Sequence, residues 1–295
     1  MRIGAVFPQT EAGKDSGAIK DYAQAVESMG LDHILAFDHI LGANTKSRPE
    51  WKGTYQLKDS FYEPLVLFSY IAGITKKIEL ATGVIILPQR QTALVAKQAA
   101  TVDLLSNGRL RLGVGIGWNS VEYEALGENF TNRGKRSEEQ VELLKALWSE
   151  ESIIFEGKYH RITDAGLNPL PFKKSIPIWF GGAHELVLKR IAKIGDGWMA
   201  VGKPDDSNKI IIDKLTGYLK EENRSIDDIG IESVISLKGL SDKDIEKEIS
   251  DWAKLGATHL SVNTMNNGMQ FPDDHIKAIS KFLEIILKNQ LHSSI

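Results

Sequence analysis

The side chains best suited to acid–base chemistry stand together at Asp38 and His39, just beyond the short β-type run His33-Ile34-Leu35-Ala36-Phe37. A carboxylate next to an imidazole can tune proton transfer near neutral pH, where imidazole changes charge. The same two residues also read as a capping Asp and a His bonded to a neighbouring carbonyl. A second segment, Thr82-Gly83-Val84-Ile85-Ile86-Leu87-Pro88, breaks a strongly β-forming run with a glycine, which marks either tight packing or a bulge where a flat ligand can press on the backbone. The third, Gly113-Val114-Gly115-Ile116-Gly117-Trp118-Asn119, has GxGxG spacing and sits in mid-chain, so it is a poor nicotinamide-dinucleotide fingerprint. It does leave a rim free of side chains beside Trp118, with room for a ring or a phosphate, although an indole there serves packing equally well. In the fourth, Ile178-Trp179-Phe180-Gly181-Gly182-Ala183-His184, an apolar strand passes through two glycines toward a helix. Amides at a helix start carry roughly +0.5 of an elementary charge and suit a phosphate, and the alternative is a tight turn with no ligand. The seven histidines show neither His-x-His nor HExxH spacing, so no metal site is expected.

Something must gather these four segments. Short runs rich in Ile, Val, Leu and Phe fall at 2–7, 33–37, 78–82, 110–114, 176–180, 197–201, 229–236 and 259–264. Helical periodicity follows each of them, over 17–29, 63–75, 92–105, 137–149, 183–194, 208–222, 242–255 and 273–287. Eight such units in 295 residues predict a closed α/β TIM (β/α)8 barrel rather than an open sheet, with the whole chain 1–295 as one domain. All four chemical segments then lie at the C-terminal ends of strands, on one rim. Three segments exceed ordinary loop length: 41–62, 150–175 and 263–271. The middle one contains a hairpin-like insertion at 153–160 that turns at Glu156-Gly157.

Composition narrows the partners. Apolar residues make up 42% and charged residues 25%, typical of a globular chain. The net charge of −3 and the lack of a basic stripe argue against nucleic acid. There is no cysteine, which rules out disulfides, thiolate zinc, iron–sulfur ligation and a cysteine nucleophile, and suits a reducing cytoplasm. The apolar start at 1–8 is too short for an export signal, and the longest uncharged apolar stretches, 64–75 and 80–89, fall short of the ~20 residues of a spanning helix. The expectation is a cytoplasmic protein that acts on a small molecule, away from membranes.

Asp38-His39, Thr82-Gly83-Val84, the run from Leu104 through Ser106-Asn107-Gly108-Arg109 to Trp118, and Phe180-Gly181-Gly182-Ala183 followed by Ile194-Gly195-Asp196-Gly197-Trp198 occur in an order that resembles the bacterial luciferase-like monooxygenase superfamily. The nearest likeness is to its deazaflavin (coenzyme F-420)-dependent oxidoreductases, and it is strongest over residues 1–200. The resemblance implies an interrupted barrel, commonly a homodimer, with Asp38 and His39 beside the reactive ring, Asp38 orienting and His39 moving the proton. It implies a non-prolyl cis peptide at Gly83-Val84, preceded by Thr82, behind the ring. Gly115, Ile116, Gly117 and Trp118 would form the wall, and Gly181, Gly182 and Ala183 would contact a phosphate tail. Hydride transfer with F-420 is the favoured activity. FMN with oxygen in a two-component monooxygenase, or a flavin-binding barrel without turnover, are the alternatives. One departure stands out: sugar-phosphate dehydrogenases of that branch carry an acid where this chain has Trp118, so its substrate is expected to be less polar or differently placed. Trp51, on the long 41–62 loop, is expected to close over the ring with Trp118.

Overall fold

The computed structural model describes residues 1–292. The chain opens with β1 (Arg2–Val6), α1 (Ser16–Ser28), β2 (His33–Ala36), α2 (Pro64–Ile74), β3 (Glu79–Thr82) and the two-residue β4 (Ile85–Ile86). It continues through α3 (Thr92–Leu105), β5 (Leu110–Gly115), α4 (Ser120–Ala125), α5 (Arg133–Ser149) and the pair β6 (Ile153–Glu156) and β7 (Arg161–Ala165). Then come β8 (Ile178–Gly181), α6 (Glu185–Ile194), β9 (Gly197–Met199), α7 (Asp206–Glu221), β10 (Gly230–Ser236), α8 (Asp242–Lys254), β11 (His259–Asn263) and α9 (Asp273–His292). Local chemistry sets several of these limits. Asp15 accepts from the Gly17 amide at the start of α1, Glu63 accepts from Val66 with Pro64 opening α2, and Ser241 and Asp244 cap α8 reciprocally.

Eight parallel strands pair in the ring order β3-β2-β1-β11-β10-β9-β8-β5, and β5 returns to β3 through Leu80↔Leu110 and Ala81↔Arg111. The sheet therefore closes, as the eight repeats predict. The short β4 adds to β5 at the rim through Ile85↔Val114 and Ile86↔Gly115. The insertion is an antiparallel hairpin whose turn spans 157–160, so its return strand starts at Arg161, later than a turn at Glu156-Gly157 alone requires. Other limits differ from expectation, α5 for one starting at Arg133 rather than at 137. The six-residue α4 is an extra helix, and α6 begins at Glu185 rather than at Ala183. Among the described residues no helix is long and apolar enough to cross a membrane.

Because side chains alternate along a strand, the barrel interior fills in layers. Toward the N-terminal ends lies a buried polar layer. Arg111 donates to Glu79 at 2.6 Å and to Glu232 at 2.5 Å, and Glu232 also accepts from His33 at 2.7 Å and Ser261 at 2.7 Å. Trp179 caps this layer with Arg111 at 4.2 Å from its ring, and it fits only because a Cβ at Gly197 or Gly230 would fall inside the indole. Above it sits an apolar layer of Val6, Leu35, Trp179, Met199 and Met265, with Phe37 and Val84 packed on top. The mouth of the barrel thus has a dry floor, with the charges sealed beneath it.

The polar layer fixes the direction of the stability profile with pH. Burial and the nearby Arg111 cation push His259 down to about 4 from an ordinary 6.5. Burial alone would raise Glu232, but Arg111 and His33 hold it well below the usual carboxylate range. Both groups resist protonation more in the folded chain than in the unfolded one, so stability present above pH 6.5 is lost on acidification. His259 contributes between pH 6.5 and about 4, and Glu232 at lower pH still. The urea midpoint should therefore fall from pH 7.5 to pH 5, and a flat midpoint over that window would contradict this origin.

Candidate active site

At the C-terminal mouth the strand ends enclose a cleft of about 410 Å³, lined by Phe37, Asp38, His39, Tyr55, Gly83, Val84, Ile86, Gly115, Ile116, Gly117, Trp118, Gly181 and Gly182. That size suits a small-molecule site. Its floor is built from glycines around one valine. A Cβ on Gly115 would lie 2.5 Å from Val84 Cγ2, and one on Gly181 would lie 3.0 Å from Val84 Cγ1. Only bare backbone at both positions lets the Val84 isopropyl group lie across the mouth. Gly117 has a φ of +64°, and a Cβ there would press on Ile86 at 2.7 Å. The Gly83–Val84 peptide is cis. The result is a flat shelf with little side-chain relief except Val84.

His39 stands at the edge of this shelf with 13% of its side chain exposed, and its Nδ1 is 3.1 Å from Glu122 Oε1. Glu122 is buried; the same Oε1 accepts from the amides of Ile40 at 3.1 Å and Leu41 at 3.4 Å, while Oε2 accepts from Gln89 Nε2 at 3.0 Å. Burial favours the neutral acid, yet the hydrogen bonds from His39 and Gln89 outweigh it and hold the carboxyl below its ordinary value. An acceptor-only carboxylate places the ring proton on Nδ1 of His39. Nε2 is then left without a protein partner among the described residues, free to exchange a proton with a bound molecule.

The sequence missed Glu122. It arrives on α4, where Asn119 accepts from the Val121 amide as N-cap and donates to the Leu41 carbonyl at 3.3 Å. The spacing Asn119-x-x-Glu122 is a helix-start signal that could have revealed this element. Here Glu122 turns to the histidine instead of back to its own cap.

Asp38 therefore does not orient His39, which corrects the expectation for that pair. Its carboxylate is buried on the far side, 2.8 Å from Arg90 Nη2 and 3.0 Å from the Ile86 amide. Arg90 also donates to Glu63 at 2.8 Å, so Asp38 anchors β4 and the start of α2 to the rim. Thr82, unlike Asp38, does not line the cleft. It is buried, and its hydroxyl donates to the Gly113 carbonyl at 2.7 Å behind the shelf. Gly181 and Gly182 do line the cleft, but Ala183 does not, because three residues separate β8 from α6. The amides expected to start that helix directly after the glycines lie further on, and His184 Nδ1 already accepts from Leu186.

Loop 41–62 roofs the cleft. Its two limbs touch where Gly42 meets the backbone of Gln56, with Leu57 donating to the Ala43 carbonyl at 2.9 Å. Trp51 packs on Trp118 with ring centroids 5.8 Å apart but does not itself line the cleft, and a Cβ on Gly53 would strike both indoles. Tyr55 and Phe61 each meet the His39 ring edge-on at 4.8 Å. Among the described residues no group of three or more His, Asp or Glu could hold a metal ion.

Comparison with known proteins bears on the family and the fold. The family described as luciferase-like monooxygenase matches residues 1–251. An F-420-dependent glucose-6-phosphate dehydrogenase of Amycolatopsis mediterranei is 28% identical over 249 residues, covering 80% of this chain and 69% of its own. A solved structure of an F-420-dependent secondary alcohol dehydrogenase, with an F-420–acetone adduct, superimposes with a TM-score of 0.77 at 18% identity over 97% of this chain and 98% of its own. A monooxygenase from Streptomyces bottropensis superimposes with a TM-score of 0.83 at 17% identity over 98% of this chain and all of its own (100%).

The shelf makes a direct prediction. Gly115→Ala should destabilise the chain by about 1–3 kcal/mol through overpacking against Val84. Much of that loss should return in the Gly115→Ala/Val84→Ala double variant, giving a coupling of at least about 1 kcal/mol in urea unfolding. Strict additivity would show that Val84 does not occupy the space over Gly115.

Proposed function

The chain belongs to the luciferase-like monooxygenase family, and from that premise we propose that it transfers a hydride between coenzyme F-420 and a small organic substrate. The observation that carries the proposal is the bare shelf over Val84 beside a histidine whose outer nitrogen is free. Backbone at Gly115, Gly117, Gly181 and Gly182 offers a flat ring a close approach that side chains would deny, so the residues present fit such a group. The relative named for F-420-dependent dehydrogenation supports the choice of cofactor. When bound, a deazaflavin supplies the hydride-accepting or hydride-donating carbon.

The chain itself supplies positioning and proton traffic. Glu122 holds the imidazole by Nδ1 and so aims Nε2 at the cleft. If the substrate is an alcohol, Nε2 takes the hydroxyl proton as the carbonyl forms. If a carbonyl or activated alkene is reduced, the protonated ring returns a proton to it. The apolar floor keeps water from beneath the site, and a bound ring would cover more of it, which strengthens the polar contacts it encloses. The turn at Gly181-Gly182 would meet the anionic tail of the cofactor.

Parallel titration of the purified protein with F-420 and with FMN, read by quenching of tryptophan fluorescence, tests the cofactor. Saturation by F-420 at concentrations at least tenfold below those needed for FMN is the expected result, and the reverse order would replace this reading with the FMN-dependent one. His39→Ala should bind the cofactor as the unmodified chain does while losing about 10²–10⁴-fold in turnover, the usual worth of a positioned acid–base group. Full turnover in that variant would remove His39 from the proton path.

A further inference from the structure

We propose that the substrate of this site is an uncharged, flat, ring-sized apolar molecule held by an aromatic box, a claim that rests on the hydride-transfer reading and adds its substrate class. Of the box, Tyr55 and Trp118 line the cleft with His39, while Phe61 and Trp51 back them: Tyr55 and Phe61 pack edge-on to His39 at 4.8 Å and 4.7 Å from each other, Trp118 lies 5.7 Å from His39, and Trp51 packs on Trp118. Trp118 is 46% exposed, unusually open for an indole, and faces the cleft that it lines.

The charge inventory points the same way. No Lys or Arg lines the cleft. Its one carboxylate, Asp38, is taken up by Arg90 and the Ile86 amide, and Glu122 is consumed by His39, Gln89 and two backbone amides. The roof carries four basic residues, Lys46, Arg48, Lys52 and Lys58; the three lysines are exposed, Arg48 is half-buried, and none of the four lines the cleft. A phosphorylated or carboxylated substrate brought to His39 would lose its hydration without gaining a fixed counter-charge, and would face the buried anion of Glu122 across the imidazole. A neutral planar molecule loses little water and gains ring contacts on several sides. The roof is also built to hold this shape. Gly42 lets its limbs cross against Gln56, and Gly53 lets its backbone lie on the two indoles, so the box is set by packing rather than by a loop that could swing a lysine inward.

A matched pair of probes tests the inference on the unmodified protein. Binding of 1-indanone, of 1-indanone-5-carboxylate and of glucose 6-phosphate is measured by calorimetry on the apoprotein and on protein saturated with F-420 or FMN. The proposal expects 1-indanone to bind at least tenfold more tightly than its carboxylate, glucose 6-phosphate to show no saturation, and Tyr55→Ala and Trp118→Ala each to weaken 1-indanone severalfold. Equal or tighter binding of either anion overturns it, as does 1-indanone binding unaffected by both substitutions. The two readings fail separately. Tight 1-indanone binding in a protein that refuses F-420 keeps the aromatic box and discards the cofactor, whereas F-420 binding with no preference for the neutral probe does the opposite.

Discussion

One contact organises the mouth of this barrel: the buried carboxylate of Glu122 against Nδ1 of His39. A histidine on the rim of a cleft can point either nitrogen inward and exchange protons in either tautomer. Glu122 removes that freedom, because an anion that is already committed to two backbone amides and to Gln89 can only accept. Those same amides, at Ile40 and Leu41, begin the roof loop. The carboxylate bonded to His39 therefore also fixes where loop 41–62 leaves the barrel. The histidine and the roof loop share one support.

The barrel itself was legible because its signal is repeated. Eight apolar runs alternating with eight helical patterns leave little else for the chain to form, and the strand ends then had to lie on one rim. The glycines were legible too, since Gly115 and Gly181 sit where side chains would displace Val84. What the sequence could not show was pairing across the fold. Asp38 and His39 look like a dyad because they are neighbours, yet successive residues leaving a strand turn to opposite sides. Asp38 goes to Arg90, 52 positions away in sequence, and His39 goes to Glu122, 83 positions away. Local pattern carries no information on contacts at that separation. Thr82 misled for the same reason: it belongs to the right strand end but faces the backbone behind the shelf.

The two interior layers divide labour. The charged layer around Arg111 and Glu232 lies below a seal of Trp179, Leu35 and Met199, and its ions are paired with one another rather than with groups at the mouth. The mouth keeps few charges, each with a fixed partner, and is otherwise bare backbone and aromatic rings. Electrostatic effects in such a site come from a small number of oriented groups, so a single histidine can dominate its acid–base behaviour. Membership of the luciferase-like family is consistent with a scaffold on which cofactor and substrate preferences are decided by residues at the rim.

The account stands on the claim that Glu122 dictates which nitrogen of His39 carries the proton. Two-bond nitrogen–proton NMR correlation on ¹⁵N-histidine-labelled protein, at a pH where the ring is neutral, reads the tautomer directly. The predicted result is a protonated Nδ1 and a bare Nε2 for His39, with the pattern lost in Glu122→Ala. A protonated Nε2 in the unmodified chain would contradict the account.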